Sequence, residues 1–162
     1  MRDGRKITTV IQPVAQRRKA VNMNIAETCR QVKIASLKLA ATDTEKKNKA
    51  LKNIAEMLYS HKEEIFNANI KDVALSEAEN LPYPLLKRLK FDEAKLLEVI
   101  EGIHSLIKLV DPVGKTLLST QLDDGLELYR VTCPIGAIGV IFESRPDALV
   151  QISTLCLKSG NG

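Results

Sequence analysis

Residues 136–162 read GAIGVIFESRPDALVQISTLCLKSGNG, and the fold class turns on this stretch. Gly136 to Phe142 is a short, continuous apolar run with small residues, the composition of a strand buried on both faces. Glu143-Ser144-Arg145-Pro146-Asp147 is a polar turn. Ser144 is placed to cap the next helix, Pro146 suits its first turn, and Asp147 complements the positive end of its dipole. From Ala148 to Lys158, Leu149, Ile152, Leu155 and Cys156 fall at helical spacing, and Gly160 or Asn161 can end the helix in a left-handed turn. Strand, turn and helix form the first half of a βαβ unit, whose parallel crossover requires a second strand after the helix. The expectation is an α/β chain whose parallel sheet is incomplete at Gly162.

Upstream, the pattern is helical. Residues 24–41 carry Ile25, Cys29, Val32 and Leu39 near helical spacing, and Thr42 with Glu45 fits a capping box. Leu51, Ile54 and Leu58 repeat on one face with lysines opposite. Ser60 with Glu63 is a second capping-box candidate, opening a stretch through Ile65 and Val73. Pro82 and Pro84 break the pattern before a short Leu85–Leu89 run. Asp92 then starts a helix with Leu96, Ile100, Ile103 and Ile107 on one stripe. Charge runs on these helices are expected to be solvated faces. Asp111-Pro112-Val113-Gly114 is a turn, and extended runs over 115–122 and 126–131 flank Asp123-Asp124-Gly125, which suits a β-hairpin. One domain accounts for residues 23–162, because the hairpin and strand cannot bury themselves without the helices.

Composition excludes several classes. The chain has 162 residues with 44% hydrophobic and 27% charged content, a globular balance, and its 4% aromatic content makes the core aliphatic. No run approaches the length of a membrane-spanning helix. Residues 1–22 hold six bases and one acid, a balance of +5 against +4 for the whole chain, so everything after them balances to −1. This basic extension is open to three readings: an incidental leader before Met23, a targeting segment, or an arm for nucleic acid. Interleaved aromatics that would stack on bases are lacking. The expectation is no nucleic-acid or membrane partner. Cys29, Cys133 and Cys156 show no CxxC spacing, and His61 and His104 stand apart from other ligand types. No metal site and a reducing compartment follow.

For chemistry, the turn after the strand has most weight, because open α/β sheets bind ligands beyond the carboxyl ends of strands. Arg145 is placed either to contact an anionic group or to pair with Glu143 or Asp147 and order the turn. No G-x-G-x-x-G and no P-loop motif occurs. Cys133 and Cys156 are read as small packing residues, and Asp123 and Asp124 as turn formers. Residue patterns alone give a soluble α/β fragment, an enzyme part or a stand-alone helical interaction module.

Several ordered blocks add a resemblance. Pro134-Ile-Gly-Ala-Ile-Gly-Val-Ile-Phe-Glu-Ser-Arg-Pro-Asp147, Leu155-Cys-Leu-Lys-Ser-Gly-Asn161, Leu85-Leu-Lys-Arg-Leu89, Asp111-Pro-Val-Gly114 and Leu122-Asp-Asp-Gly-Leu126 are similar to the amino-terminal part of the γ-glutamyl phosphate reductase family. That family, also called glutamate-5-semialdehyde dehydrogenase, lies in the aldehyde dehydrogenase superfamily. The resemblance implies helices, a β-hairpin and the first βα unit of an incomplete Rossmann-type sheet. It implies NADPH-dependent reduction of γ-glutamyl phosphate to glutamate-5-semialdehyde, a step of proline biosynthesis, in a cytoplasmic homo-oligomer acting on a small molecule. Ile141, Phe142, Glu143 and Ser144 match the strand end expected to line the cofactor cleft. Arg145 falls near the oxyanion-hole Asn of related dehydrogenases and is expected to contact substrate or phosphate. The Glu-Ser-Arg-Pro turn departs from the Pro-Trp-Asn turn of ordinary NAD-linked aldehyde dehydrogenases. The family's Lys-Gly-Gly cofactor segment, catalytic Cys and oligomerisation segment have no counterpart here. No catalytic residue is therefore assigned, and the expectation is a fragment or truncated form, inactive alone and without cofactor affinity.

Overall fold

The computed structural model describes residues 24–162; the basic stretch 1–22 and the readings attached to it lie outside the described residues. Five helices come first: α1 (Ile25–Ala40), α2 (Thr44–Ser60), α3 (Lys62–Ala78), α4 (Tyr83–Leu89) and α5 (Glu93–Lys108). The hairpin strands β1 (Thr116–Asp123) and β2 (Leu126–Val131) follow, then α6 (Pro146–Lys158). The chain is mostly helical with one antiparallel hairpin. Short polar side chains set several helix starts by accepting a first-turn amide. Asn24 accepts from the Glu27 amide at 3.2 Å, Asp43 from Lys46 at 2.7 Å and Asp92 from Lys95 at 3.1 Å. Neither expected capping box forms. Asp43 takes the cap one residue after Thr42, whose hydroxyl instead donates back to the Lys38 carbonyl of α1. Ser60 likewise donates back to Met57, and His61 starts α3 with no side-chain cap.

The core is aliphatic, as the composition predicts. Leu51 and Ala55 of α2 meet Leu96, Val99, Ile103 and Leu106 of α5, with Phe91 as the buried aromatic. Val150 and Leu157 bring α6 onto the same cluster. Each buried Leu or Ile contributes about 1.5–3 kcal/mol. The expected α5 stripe is partly revised: Ile100 and Ile107 are half-buried, while Val99 and Leu106 are buried beside Leu96 and Ile103. The physical reason is that α5 packs against both α2 and α6, so its buried surface is wider than one stripe.

Charged groups are also buried, against the expectation that lysines mark solvated faces. Lys47 of α2 is 2% exposed and forms an ion pair with Asp111, beyond the end of α5. Asp111 also accepts from the Thr44 hydroxyl at 2.8 Å and the Val113 amide at 2.9 Å. Lys158, at the end of α6 and 2% exposed, donates to Asn48 of α2 at 2.8 Å and to the Ile107 carbonyl of α5 at 3.3 Å. Burial pushes the Lys158 ammonium below its usual range; the attraction of Asp111 opposes that shift and the repulsion of Lys47 adds to it. Burial pushes the Asp111 carboxyl up, but the bonds from Lys47, the Val113 amide and Thr44 outweigh it and hold the group below its ordinary value. Elsewhere Asn69 of α3 donates to the Leu89 carbonyl at 2.9 Å and accepts from the Phe91 amide at 2.7 Å, tying α3 to the loop before α5.

The hairpin is where the sequence places it, with Gly125 at φ 76° in the turn and both strands exposed along their length. The expected buried strand at Gly136–Phe142 is a correction. Among the described residues these positions form no strand and no parallel sheet, and Ile138 is 38% and Ile141 101% exposed. A strand is defined by its neighbours, and this segment has a neighbour only at one point. There the Gly162 amide donates to the Gly136 carbonyl at 3.0 Å and the Ile138 amide to the Gly162 carbonyl at 2.7 Å, the pattern of one rung of a parallel ladder. Asn161 Oδ1 accepts from the Gly136 amide at 2.9 Å. Gly160 ends α6 in the left-handed region at φ 74°, as the sequence predicts, and a Cβ there would lie 3.0 Å from Pro134 Cγ.

This packing makes two predictions. Gly160→Ala should destabilise by about 1–3 kcal/mol through backbone strain alone, whereas Gly102→Ala, with nothing within 4 Å in α5, should stabilise by roughly 0.5–1 kcal/mol; urea midpoints check both signs. Because the folded pKa of Asp111 lies below its unfolded value of 3.8, its contribution is complete above that value and is lost as the pH falls through the folded one. Asp111→Asn should therefore be less stable at neutral pH and show a shallower loss of stability on acidification below about pH 4. Parallel acid limbs for the two proteins would contradict the pairing.

Candidate functional site

The turn that leads into α6 is built by two backbone choices. Ser144 sits at φ 50°, a left-handed conformation uncommon for a residue with a side chain, and strain of this kind concentrates at functional sites. The chain then turns so that Arg145 occupies the N-cap position with Pro146 as the first helical residue. The expectation that Ser144 caps the helix is a correction: it stands one residue too early, and no side-chain bond caps α6. Asp147 lies in the first turn, as expected from the dipole. Pro146 brings no amide to the first turn of α6, and the Ala148 amide donates to the Arg145 carbonyl at 3.1 Å.

Arg145 pairs locally. Its Nη2 donates to Asp147 at 3.2 Å, with the Arg side chain 51% exposed and the Asp side chain 15% exposed. This is one of the two placements the spacing left open, and it engages one guanidinium nitrogen. Ile141, Phe142 and Glu143 lie exposed along the chain that enters the turn, and Ser144 is half-buried. Arg145 and Asp147 share a cleft of about 480 Å³ with Pro84, Lys87 and Arg88 of α4 and Lys95 of α5. The cleft therefore gathers four cations and one carboxylate from three helices.

Lys87, Arg88 and Lys95 are not singled out by the sequence reading. Lys95 serves the fold directly. Its ammonium donates to the carbonyls of Lys90 at 2.6 Å, Arg88 at 3.2 Å and Lys87 at 3.5 Å, closing the end of α4. The available signal for Lys87 is the lack of any acid three or four residues away, which leaves a helical base unpaired. Its meeting with Arg145 depends on packing and leaves no local trace.

The cysteines do not join this cleft. Cys29 and Cys133 are exposed and Cys156 is half-buried within α6. Among the described residues no three His, Cys, Asp or Glu side chains come together to hold a metal ion. Among the same residues no helix is long and apolar enough to cross a membrane.

Comparison with known proteins gives a consistent answer. No family model matches the chain. It is 71% identical over 140 residues to the gamma-glutamyl phosphate reductase of Acetivibrio thermocellus, a match covering 86% of this chain and 32% of the relative. It is 72% identical over 140 residues to that of Pelotomaculum thermopropionicum, with the same coverage of 86% and 32%. The crystal structure of the Thermotoga maritima gamma-glutamyl phosphate reductase superimposes with a TM-score of 0.82 at 39% identity, over 86% of this chain and 34% of that one. The Saccharomyces cerevisiae enzyme gives 0.83 at 35% identity, over 86% and 36%. The chain spans about a third of the length of the relatives it matches. In sequence and in structure, this chain is similar to the gamma-glutamyl phosphate reductases over about a third of their length.

Proposed function

We propose that this chain supplies the substrate-facing amino-terminal part of a gamma-glutamyl phosphate reductase. The reaction is reduction of γ-glutamyl phosphate to glutamate-5-semialdehyde with release of phosphate, in proline biosynthesis. NADPH supplies the hydride when bound. The observation that carries the reading is the 71% identity over 140 residues; the left-handed Ser144 and the exposed Arg145 support a ligand-facing role for the turn. Residues 23–162 are read as part of the nucleotide-binding domain. The single parallel rung between Gly136, Ile138 and Gly162 supports reading 136–142 as the first strand of a Rossmann-type sheet.

Within that reading, Ile141 and Phe142 offer an exposed apolar surface suited to one side of a nicotinamide cofactor, with Glu143 and Ser144 at its polar end. Arg145 steadies developing negative charge on the acyl oxygen or the departing phosphate, using the donors that Asp147 leaves free. An acyl phosphate is already activated, so orientation and charge stabilisation are the work required of these residues. Cys29, Cys133 and Cys156 are not assigned as nucleophile. The complete enzyme is read as a cytoplasmic homo-oligomer, and the exposed Leu117, Leu122, Leu126 and Tyr129 of the hairpin suit a subunit contact.

The test is a chimera in which residues 23–162 replace the matching part of the Acetivibrio thermocellus reductase. The chimera should form phosphate-dependent NADPH from glutamate-5-semialdehyde and NADP, the reaction run in reverse, while this chain alone should not. Arg145→Ala in the chimera should lower kcat by about 100- to 1,000-fold, the scale for losing an oxyanion donor. A soluble, folded chimera with no turnover would overturn the proposal.

A further inference from the structure

The cleft between α4, α5 and α6 holds more positive charge than the fold uses. Lys95 closes α4 by donating to three carbonyls at its end. Lys87 and Arg88 are left with no such role, since both are exposed and, among the described residues, neither has an ion-pair partner. Both lie in the last turn of α4, but Lys95 already meets the carbonyls there directly. Across the cleft, Arg145 is only partly neutralised by Asp147, and the cleft's side-chain charge sums to +3. Two such bases line the same cleft of about 480 Å³ as an arginine, and a bound anion would lower their mutual repulsion.

We propose that Lys87 and Arg88 of α4, with Arg145, form a phosphoryl-binding subsite in this cleft. A guanidinium fork matches a phosphate in bidentate geometry, and a lysine adds a mobile point charge. The phosphoryl class rests on the reductase reading; the unspent charge rests on the structure alone. Two ligands bring such a group, an acyl phosphate and the phosphate of a nicotinamide dinucleotide, and the chemistry they share is a dianionic tetrahedral oxyanion.

The test uses the full 162-residue chain and inorganic phosphate, followed by amide NMR shifts at constant ionic strength set with sodium chloride. Shifts at 87–88 and 145–148 should saturate together, and Arg88→Gln should weaken binding by about tenfold, the scale of one charge-assisted hydrogen bond. Lys87→Gln should weaken it less, and Lys52→Gln, on the exposed face of α2, should leave it unchanged. If Arg88→Gln disturbs the fold, Lys87→Gln and Arg145→Lys carry the same test. Acetyl phosphate binding tighter than adenosine 2′-phosphate identifies the acyl phosphate as the source, and the reverse order identifies the dinucleotide; either supports the subsite. Shifts that follow ionic strength without saturating, equal affinity for L-glutamate, or an unaltered Arg88→Gln affinity would each overturn it. Absent phosphate binding beside an active chimera sinks this subsite alone, whereas intact binding beside an inactive chimera sinks the reductase reading alone.

Discussion

An extended backbone has to hydrogen-bond to something, and in this chain residues 136–138 find their partner at the far end of α6. Asn161 and Gly162 receive and return the bonds of Gly136 and Ile138, closing a loop that contains the whole Arg145 turn and all of α6. Because both ends of that loop are pinned together, the turn is held at one end of α6 while its other end is fixed in the core. Glycine is required at the pin: Gly160 is left-handed, and a Cβ on Gly162 would lie 2.9 Å from Ser36 Cβ of α1.

The pin in turn depends on where α6 sits, and that is set by buried charge as much as by apolar contact. Lys158 reaches Asn48 and Ile107, and Lys47 reaches Asp111, so α2, α5 and α6 are registered by groups that tolerate little displacement. Buried ion pairs contribute little net stability against an apolar replacement but are costly to break on one side. Their consequence here is positional. The start of α6 is delivered to the end of α4, and Arg145 comes to share a cleft with Lys87 and Arg88.

Much of this is legible in the residues. Helical spacing, Asp92, the two-proline break, the hairpin turn and the Pro146 helix start all report local physics, and local physics is what a sequence displays. The expected capping boxes lose to competition between nearby polar groups: Thr42 and Ser60 bond backward into the preceding helix. Residues 136–142 have a strand's composition, yet pairing is a property of neighbours, and among the described residues Gly162 alone pairs with their backbone. Arg145 stands out from its turn, but Lys87 and Arg88 lie more than fifty residues earlier, and only the folded chain brings them to one cleft. Lys47, one lysine among many on a polar helix, gives no sign of burial.

Native-state amide hydrogen exchange at Gly136, Ile138 and Gly162 tests the account most directly. Each of these amides should exchange far more slowly than its sequence-matched free-peptide rate, and Asn161→Ala should release Gly136 in particular. Exchange of all three at free-peptide rates, with the α5 core still protected, would mean that the loop is not pinned and that nothing holds the Arg145 turn where the cleft requires it.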